Sequence, residues 1–323
     1  MLDADAMLAA SRRPLVLGIG GGGDVVGALA TAESCRRLHG ARPVVGGMSW
    51  ERRPIDPQPG PRAEHEIEGA RAIGPAVMAA GPQTRVRASG VLFGESRMAG
   101  LLGEETVLVD ATRGPAEIAA GIEAAAAELE ADLVVLIDVG GDALAHGHEP
   151  GLASPLCDAL MLAAGVHLER GGRLPLLGGV FGVGCDGELT PAEVLERIAE
   201  VAAAGGLAGI RGLTPPVAER LAEAVEVVPT EASAGALRSF RGEWGAASIR
   251  GGRRGVELSP LGASTFFFEV GVAARTAARL VSPLLEARDL LHADELLTGL
   301  GVRTELAWER DAAHIGDGSR TQH

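Results

Sequence analysis

The sequence predicts an α/β fold: a doubly wound, mostly parallel sheet with helices on both faces and a C-terminal α+β addition. Two observations lead there. Short β-branched runs alternate with alanine-rich amphipathic stretches, the pattern of buried parallel strands joined by crossover helices. Each run is then followed by glycines and acids, and in an open α/β sheet the ligand sits beyond the carboxyl ends of the strands. The expected architecture is Rossmann-like.

The strands read from the apolar runs are 14–19 (PLVLGI), 43–48 (PVVGGM), 106–110 (TVLVD), 132–138 (DLVVLID) and 174–181 (LPLLGGVF). Helices are expected at 25–39, 114–130, 154–169 and 190–204, so that the first four crossovers are ordinary βαβ units. The last of these helices opens on "TPAE", with Thr190 as N-cap, Pro191 at the first helical position and Glu193 closing a capping box. Residues 51–63, "ERRPIDPQPGPRA", hold four prolines and one glycine, which predicts loop or extended chain, either a flap over the site or a connector. Beyond residue 205 the spacing predicts helices at 214–226 and 230–241. A hairpin follows in "SIRGGRRGVEL", then a strand in "STFFFEV" and helices at 271–287 and 292–299. The hairpin and this strand are expected outside the main sheet, with Phe266 to Phe268 in a core or a subunit contact. Residues 1–205 thus form the α/β core, 206–309 complete the same domain, and 310–323 read as a disordered polar tail.

Composition removes several function classes. A net charge of −14 and a pI near 5.1 argue against a nucleic-acid surface, which needs a basic face. No apolar run is long enough to span a bilayer, and the first residues are acidic where a signal peptide is positive, so a cytoplasmic protein is expected. Cys35, Cys157 and Cys185 are far apart and suggest no disulfide or zinc framework. Every one of the 29 basic residues is arginine, and tyrosine and asparagine are absent as well. Without lysine there is no Walker loop and no pyridoxal phosphate (PLP) Schiff base. Without a tyrosine–lysine pair there is no short-chain dehydrogenase chemistry. Asp, Glu, His, Cys and Ser remain to move protons.

Those residues gather after the strands. The first loop, "GIGGGGD", satisfies G-x-G-x-x-G with Gly18, Gly20 and Gly23, so Gly20, Gly21, Gly22 and Gly23 are candidate ligand-binding backbone. Asp24 either faces the ligand or caps the following helix. The second strand ends in Ser49, Trp50 and Glu51 before Arg52 and Arg53, and lacks the acid that would hold a ribose. This places NAD below a divalent cation as the expected cofactor. Asp110, Thr112 and Arg113 form a rim, with Arg113 a candidate anion clamp. The densest segment carries Asp138, Asp142, His146, His148, Glu149 and Asp158 within 21 residues, among glycines that include Gly140 and Gly141. Asp138 and Asp142 are candidate Mg²⁺ or Mn²⁺ ligands or general bases, because adjoining buried carboxylates must share a cation or a proton. They also suit turn and cap roles. His146, His148 and Glu149 are candidate acid–base groups, and the alternation expected of extended chain lets only one of the histidines face the site. Ser154 reads as a helix cap. Asp186 and Glu188, in "GVGCDGEL", repeat the glycine–acid arrangement of the first loop, and Cys185 lacks a basic partner that would activate it.

Taken together, "GIGGGGDVVGA", "LIDVGGDALAHGHEPGLASPLCDA" and "FGVGCDGEL" resemble an uncharacterised archaeal and bacterial family known as domain of unknown function 1152, over most of the chain. This resemblance implies no activity. In motif order the chain is also similar to D-glutamate cyclase, a lyase, although it has no asparagine to match that enzyme's "GDGGNEIG". The residues themselves favour an enzyme for a small anionic metabolite, whether phosphorylated, nucleotide-like or carboxylate, working by Asp/His acid–base or divalent-metal-assisted hydrolysis or elimination. A dinucleotide-binding (NAD/FAD) oxidoreductase-like protein and a non-catalytic metabolite sensor are the alternatives. Homo-oligomers are compatible with each; nucleic-acid and membrane partners are not expected.

Overall fold

The computed structural model describes residues 2–318. A short helix α1 (Ala4–Ala10) precedes strand β1 (Pro14–Gly18), helix α2 (Asp24–His39) and strand β2 (Val44–Met48). A hairpin of β3 (Ile67–Gly74) and β4 (Val77–Val86) and a helix α3 (Gly94–Leu102) come next, before β5 (Thr106–Val109). The chain continues through α4 (Pro115–Glu128), β6 (Leu133–Val139), α5 (Pro155–Gly171), β7 (Leu176–Phe181), α6 (Pro191–Ala203) and β8 (Leu207–Gly212). Helices α7 (Pro215–Val227) and α8 (Glu231–Phe240) lead to the hairpin β9 (Gly245–Ile249) and β10 (Arg254–Leu258). Strand β11 (Ser264–Phe268) and helices α9 (Val270–Arg275), α10 (Leu290–Gly299) and α11 (Glu305–Gly318) complete it.

Nine strands make one sheet in the order β3-β4-β5-β2-β1-β6-β7-β11-β8. The central five, β5-β2-β1-β6-β7, are mutually parallel, so the doubly wound expectation holds. Their side chains are buried on both faces, which is why they read as unbroken apolar runs. Leu15, Leu17, Val134 and Leu136 face the layer of α4 and α5, while Val16 and Val135 face the layer of α2 and α7. Thr190 and Glu193 form the capping box expected at α6. The strand order reverses between β1 and β6, and the crevice at that reversal is where an open sheet of this type binds ligands.

Four expectations are corrected. The crossover from β2 to β5 is not an ordinary βαβ unit, because β3 and β4 add antiparallel to the β5 edge. Their alanine, glycine and proline content hides the strand pattern, and a positive φ of 57° at Ala76 closes the turn. The Phe266–Phe268 strand is not outside the sheet: β11 lies antiparallel between β7 and β8, and all three rings are buried in the core. The helix expected at 271–287 stops at Arg275, where the Thr276 hydroxyl donates back to the Val272 carbonyl at 2.8 Å and the backbone leaves helical geometry. The tail reading fails for residues 310–318, which continue α11. That helix starts where Thr304 Oγ accepts the Ala307 N–H and is held by buried Leu306 and Glu309. Residues 319–323 lie outside the described residues. Among the described residues, no helix is long and apolar enough to cross a membrane.

Candidate functional site

A cleft of about 940 Å³ opens at the carboxyl ends of β1, β6 and β7. Its floor is built by the loops that follow these strands and by the first turn of α5. Gly20 to Asp24 come from the end of β1, Asp142 follows β6, Asp186 and Glu188 follow β7, and Asp158 reaches in from α5. Two triads of carboxylates result. Asp24, Asp138 and Asp158 form one, Asp142, Asp186 and Glu188 the other, and in each the three oxygens lie within 4.8 Å of one another.

The glycines exist to let these acids converge. A Cβ on Gly20 would stand 2.6 Å from Asp24 Oδ2 and 3.1 Å from Asp158 Oδ2, and one on Gly140 would stand 2.2 Å from the Asp186 carboxyl carbon. Gly140 also has a φ of 132°, closed to most side chains. Asp24 is the first residue of α2, yet it does not cap that helix. Its Oδ2 turns back to accept the Gly20 N–H at 2.9 Å, so the glycine loop already has an internal carboxylate where a pyrophosphate would lie. Asp138 accepts the Ala143 N–H at 3.3 Å and Asp186 the Glu188 N–H at 3.2 Å. Glu188 accepts the Ala153 and Ser154 N–H groups, each at 2.7 Å, and the Ser154 hydroxyl at 2.5 Å. Ser154 stands at the N-cap position of α5, but its hydroxyl serves Glu188 rather than the helix. Asp158 is 2% exposed, and its Oδ1 is buried without a hydrogen-bond partner among the described residues.

Burial and mutual repulsion govern protonation here. Burial pushes Asp24 up to about 7, against the pull of the Gly20 N–H and of Arg52, and pushes Asp186 up to about 8 with help from Glu188. Asp138, Asp142 and Asp158 rise well above the ordinary carboxylate range, through burial first and then through neighbouring acids. Such a floor must take up protons or bind cations.

Arginines and α11 form the walls. Arg52 donates to the Gly20 carbonyl, pairs with Glu305 at 3.2 Å and lies 4.1 Å from the centre of the Trp50 ring. Glu305 in turn accepts the Leu156 and Cys157 N–H groups, each at 2.9 Å, at the start of α5. Glu309 accepts the Trp50 Nε1–H at 3.1 Å and the Gly60 N–H at 2.8 Å. Together with the buried Asp56–Arg62 pair at 2.9 Å, this ties the proline-rich segment 51–63 to the body, and its residues Arg52 to Ile55 line the cleft. Arg250, Arg253 and Arg254 enter from the β9–β10 hairpin.

Of the candidates read from the sequence, the structure brings together the Gly20–Gly23 loop, Asp24, Asp138, Gly140, Asp142 and Asp186. Gly141 packs beneath them on Val194. It places others elsewhere. His146 Nε2 lies 3.1 Å from Glu200, and burial, only partly offset by that partner, lowers its pKa. Glu149 gathers the N–H groups of His146, Gly147 and His148 at 2.8 to 3.0 Å, closing its own loop. The His148 ring lies tilted at 45° to that of His146, with centres 5.7 Å apart, and neither lines the cleft. Asp110 binds the Glu64 and Thr112 N–H groups and the Thr112 hydroxyl, with Arg113 held between Asp110 and Glu117; this is a closed turn at the head of α4. Burial pushes the Cys185 thiol up to about 12, the opposite of an activated nucleophile. Sequence reading does not reach Glu305, Glu309 or the hairpin arginines as site residues. The one available signal is the run of three arginines around a Gly-Gly turn.

No curated protein and no solved structure gives a significant match to this chain. One family does match: its profile aligns with residues 15–313, a span that contains every strand of the sheet except the first residue of β1 and every carboxylate of the floor. The chain therefore belongs to the family described as Protein of unknown function (DUF1152).

Proposed function

We propose that the chain is an enzyme for a small anionic metabolite, performing divalent-cation-assisted or Asp acid–base hydrolysis or elimination at the floor of the cleft. The observation that carries this reading is the meeting of the two carboxylate triads at the strand-order reversal, with Asp158 Oδ1 buried and unpartnered among them. An all-oxygen set of carboxylates suits Mg²⁺ or Mn²⁺. Asp24, Asp138 and Asp158 would hold one cation, and Asp142, Asp186 and Glu188 a second. A cation bound there supplies charge stabilisation for an anionic substrate and a more acidic bound water.

The chain's own residues supply the rest. Where no cation is bound, Asp24 and Asp186, with pKa values near 7 and 8, are poised to exchange protons at neutral pH, as the acid–base alternative requires; with cations in place they serve as ligands instead. This role moves from His146 and His148 to the aspartates. Arg52 and the hairpin arginines offer guanidinium groups to the anion from the walls. A dinucleotide is the less favoured occupant, since Asp24 already takes the Gly20 N–H of the glycine loop. Three buried free thiols accord with a cytoplasmic setting.

Isothermal titration with Mn²⁺ tests the proposal. Wild type should bind, and Asp138→Asn combined with Asp158→Asn should lose one of the two cations, or bind it at least about tenfold more weakly, while keeping its circular dichroism spectrum. A wild type that takes up no Mn²⁺ or Mg²⁺ overturns the cation; undiminished binding in the double variant overturns the site.

A further inference from the structure

We infer that the substrate carries a phosphate group and that the β9–β10 hairpin is the wall that binds it, through Arg250, Arg253 and Arg254. The inference rests on the proposed reading of the floor as the reacting centre and adds the chemical class of the ligand.

The hairpin forms its own two-stranded sheet, separate from the large one, yet it is firmly seated. Ile249, Val256 and Leu258 are buried in the core, where β10 packs on α8, and a Cβ on Gly187 would stand 2.7 Å from the Gly255 carbonyl oxygen. What the hairpin presents to the cleft is three guanidinium groups within five residues. Because the chain uses arginine at every basic position, the choice of arginine says nothing; the placement does. A turn that only had to connect two strands would not aim three cations into a cavity.

These cations have hydrogen-bonding capacity left over. The guanidiniums of Arg254 and Arg250 stand 3.6 and 3.7 Å from Glu188, beyond hydrogen-bond reach, and Glu231 nearby accepts the Arg250 backbone N–H at 2.6 Å rather than its guanidinium. Glu188 is already satisfied by Ala153 and Ser154. Among the described residues, Arg254 Nη1 is buried without a hydrogen-bond partner, and so are Arg52 Nη1 and Arg53 Nη1 across the cleft. Buried N–H groups of this kind are costly unless an acceptor arrives. Arg253 is different in one respect: its Nε donates to the Arg250 carbonyl at 2.9 Å and sets the turn, leaving its terminal nitrogens for the cleft.

The acceptor that fits is a phosphate. A carboxylate carries one charge on two oxygens and matches the fork of one guanidinium, whereas a terminal phosphate carries nearly two charges on three oxygens and can take the forks of several guanidiniums at once. The separation within the cleft agrees with this. Carboxylates make the floor, while the hairpin side of the cleft carries three guanidiniums against the single carboxylate of Glu231, so a ligand would set an anionic handle against the hairpin and its reacting part over the acids.

The test is a matched pair of probes, phenyl phosphate and benzoate, titrated calorimetrically into the full chain at saturating Mg²⁺. Wild type should bind phenyl phosphate at least about tenfold more tightly than benzoate. Arg253→Ala with Arg254→Ala should weaken it about tenfold or more, and Arg254→Lys should fall between, having the charge without the fork. Equal affinity for benzoate, no binding of phenyl phosphate, or binding unaffected by the double variant would each overturn the inference. Mn²⁺ titration separates it from the reading it rests on: the arginine variants should bind Mn²⁺ like wild type. A chain that binds phenyl phosphate through the hairpin but no cation would keep the phosphate wall and sink the cation. Unchanged thermal melting of the variants, expected because Ile249, Val256 and Leu258 still anchor the hairpin, shows that lost binding is not lost folding.

Discussion

At the scale of single residues, the floor is a conflict held in place by the fold. Asp24 and Asp186 have pKa values near 7 and 8 in the folded chain, against an ordinary value of 3.8. The folded state therefore binds more protons than the unfolded chain between about pH 4 and 8, and linkage requires stability to fall as pH rises through that window. The metal-free protein should melt at a higher temperature at pH 5.5 than at pH 8.5, and Mn²⁺ should raise the melting point more at pH 8.5. Scanning calorimetry with and without chelator measures both; a melting point that rises with pH would contradict the assignment. The same conflict gives an unusual mutational sign. Asp158→Asn removes a buried carboxyl that burial and neighbouring acids make costly to ionise and whose Oδ1 has no hydrogen bond among the described residues, so it should stabilise the metal-free protein by about 1–2 kcal/mol at pH 8 while removing the part of the Mn²⁺ response that belongs to the Asp24–Asp138–Asp158 triad. Loss of stability in that variant would mean that Asp158 is a structural hydrogen-bonding residue instead.

At the scale of elements, α11 works as a strap through two carboxylates. Glu305 caps the start of α5 and neutralises Arg52, and Glu309 holds Trp50 and Gly60. Glu305→Ala would leave two helix N–H groups and a half-buried guanidinium unpaired, and should cost about 3 kcal/mol in urea unfolding, where a surface glutamate would cost nearly nothing. Neither role is legible in the sequence, because "TELAWERDAA" is an ordinary amphipathic stretch until one knows that its acids meet residues 149 and 259 positions away. The parallel strands are legible for the opposite reason: burial on both faces writes each of them as a local apolar run. β3, β4 and β8 sit at or near the sheet edges, where half-exposed strands rich in alanine and glycine leave no such trace. The site shows the same division. The glycine–acid loops disclose Asp24, Asp138, Asp142 and Asp186, since local spacing brings them to strand ends. His146 and Glu149 share that density, yet they turn aside to close their own loop.

At the scale of the whole molecule, the cleft cannot be assigned to the first part of the chain. Its floor comes from the strands before residue 205, but Thr230, Glu231, the hairpin arginines, Glu305 and Trp308 come after it. The sheet is shared in the same way: β11 pairs with β7 from Thr265 opposite Phe181 to Phe268 opposite Gly178, and β8 closes the edge beyond it. Cutting at residue 205 would expose the hydrogen-bonding edge of β7 and strip Phe266, Phe267 and Phe268 from both cores. A fragment of residues 1–205 would then carry an unpaired, apolar strand edge, a ready template for aggregation. We therefore expect the full chain to melt in one transition that shifts upward as a unit with Mn²⁺, and the 1–205 fragment to give no cooperative melt. Differential scanning calorimetry distinguishes the cases. Two separable transitions, with only the first responding to the cation, would show that the acid floor is stable by itself and that the arginine wall was added to a site already complete.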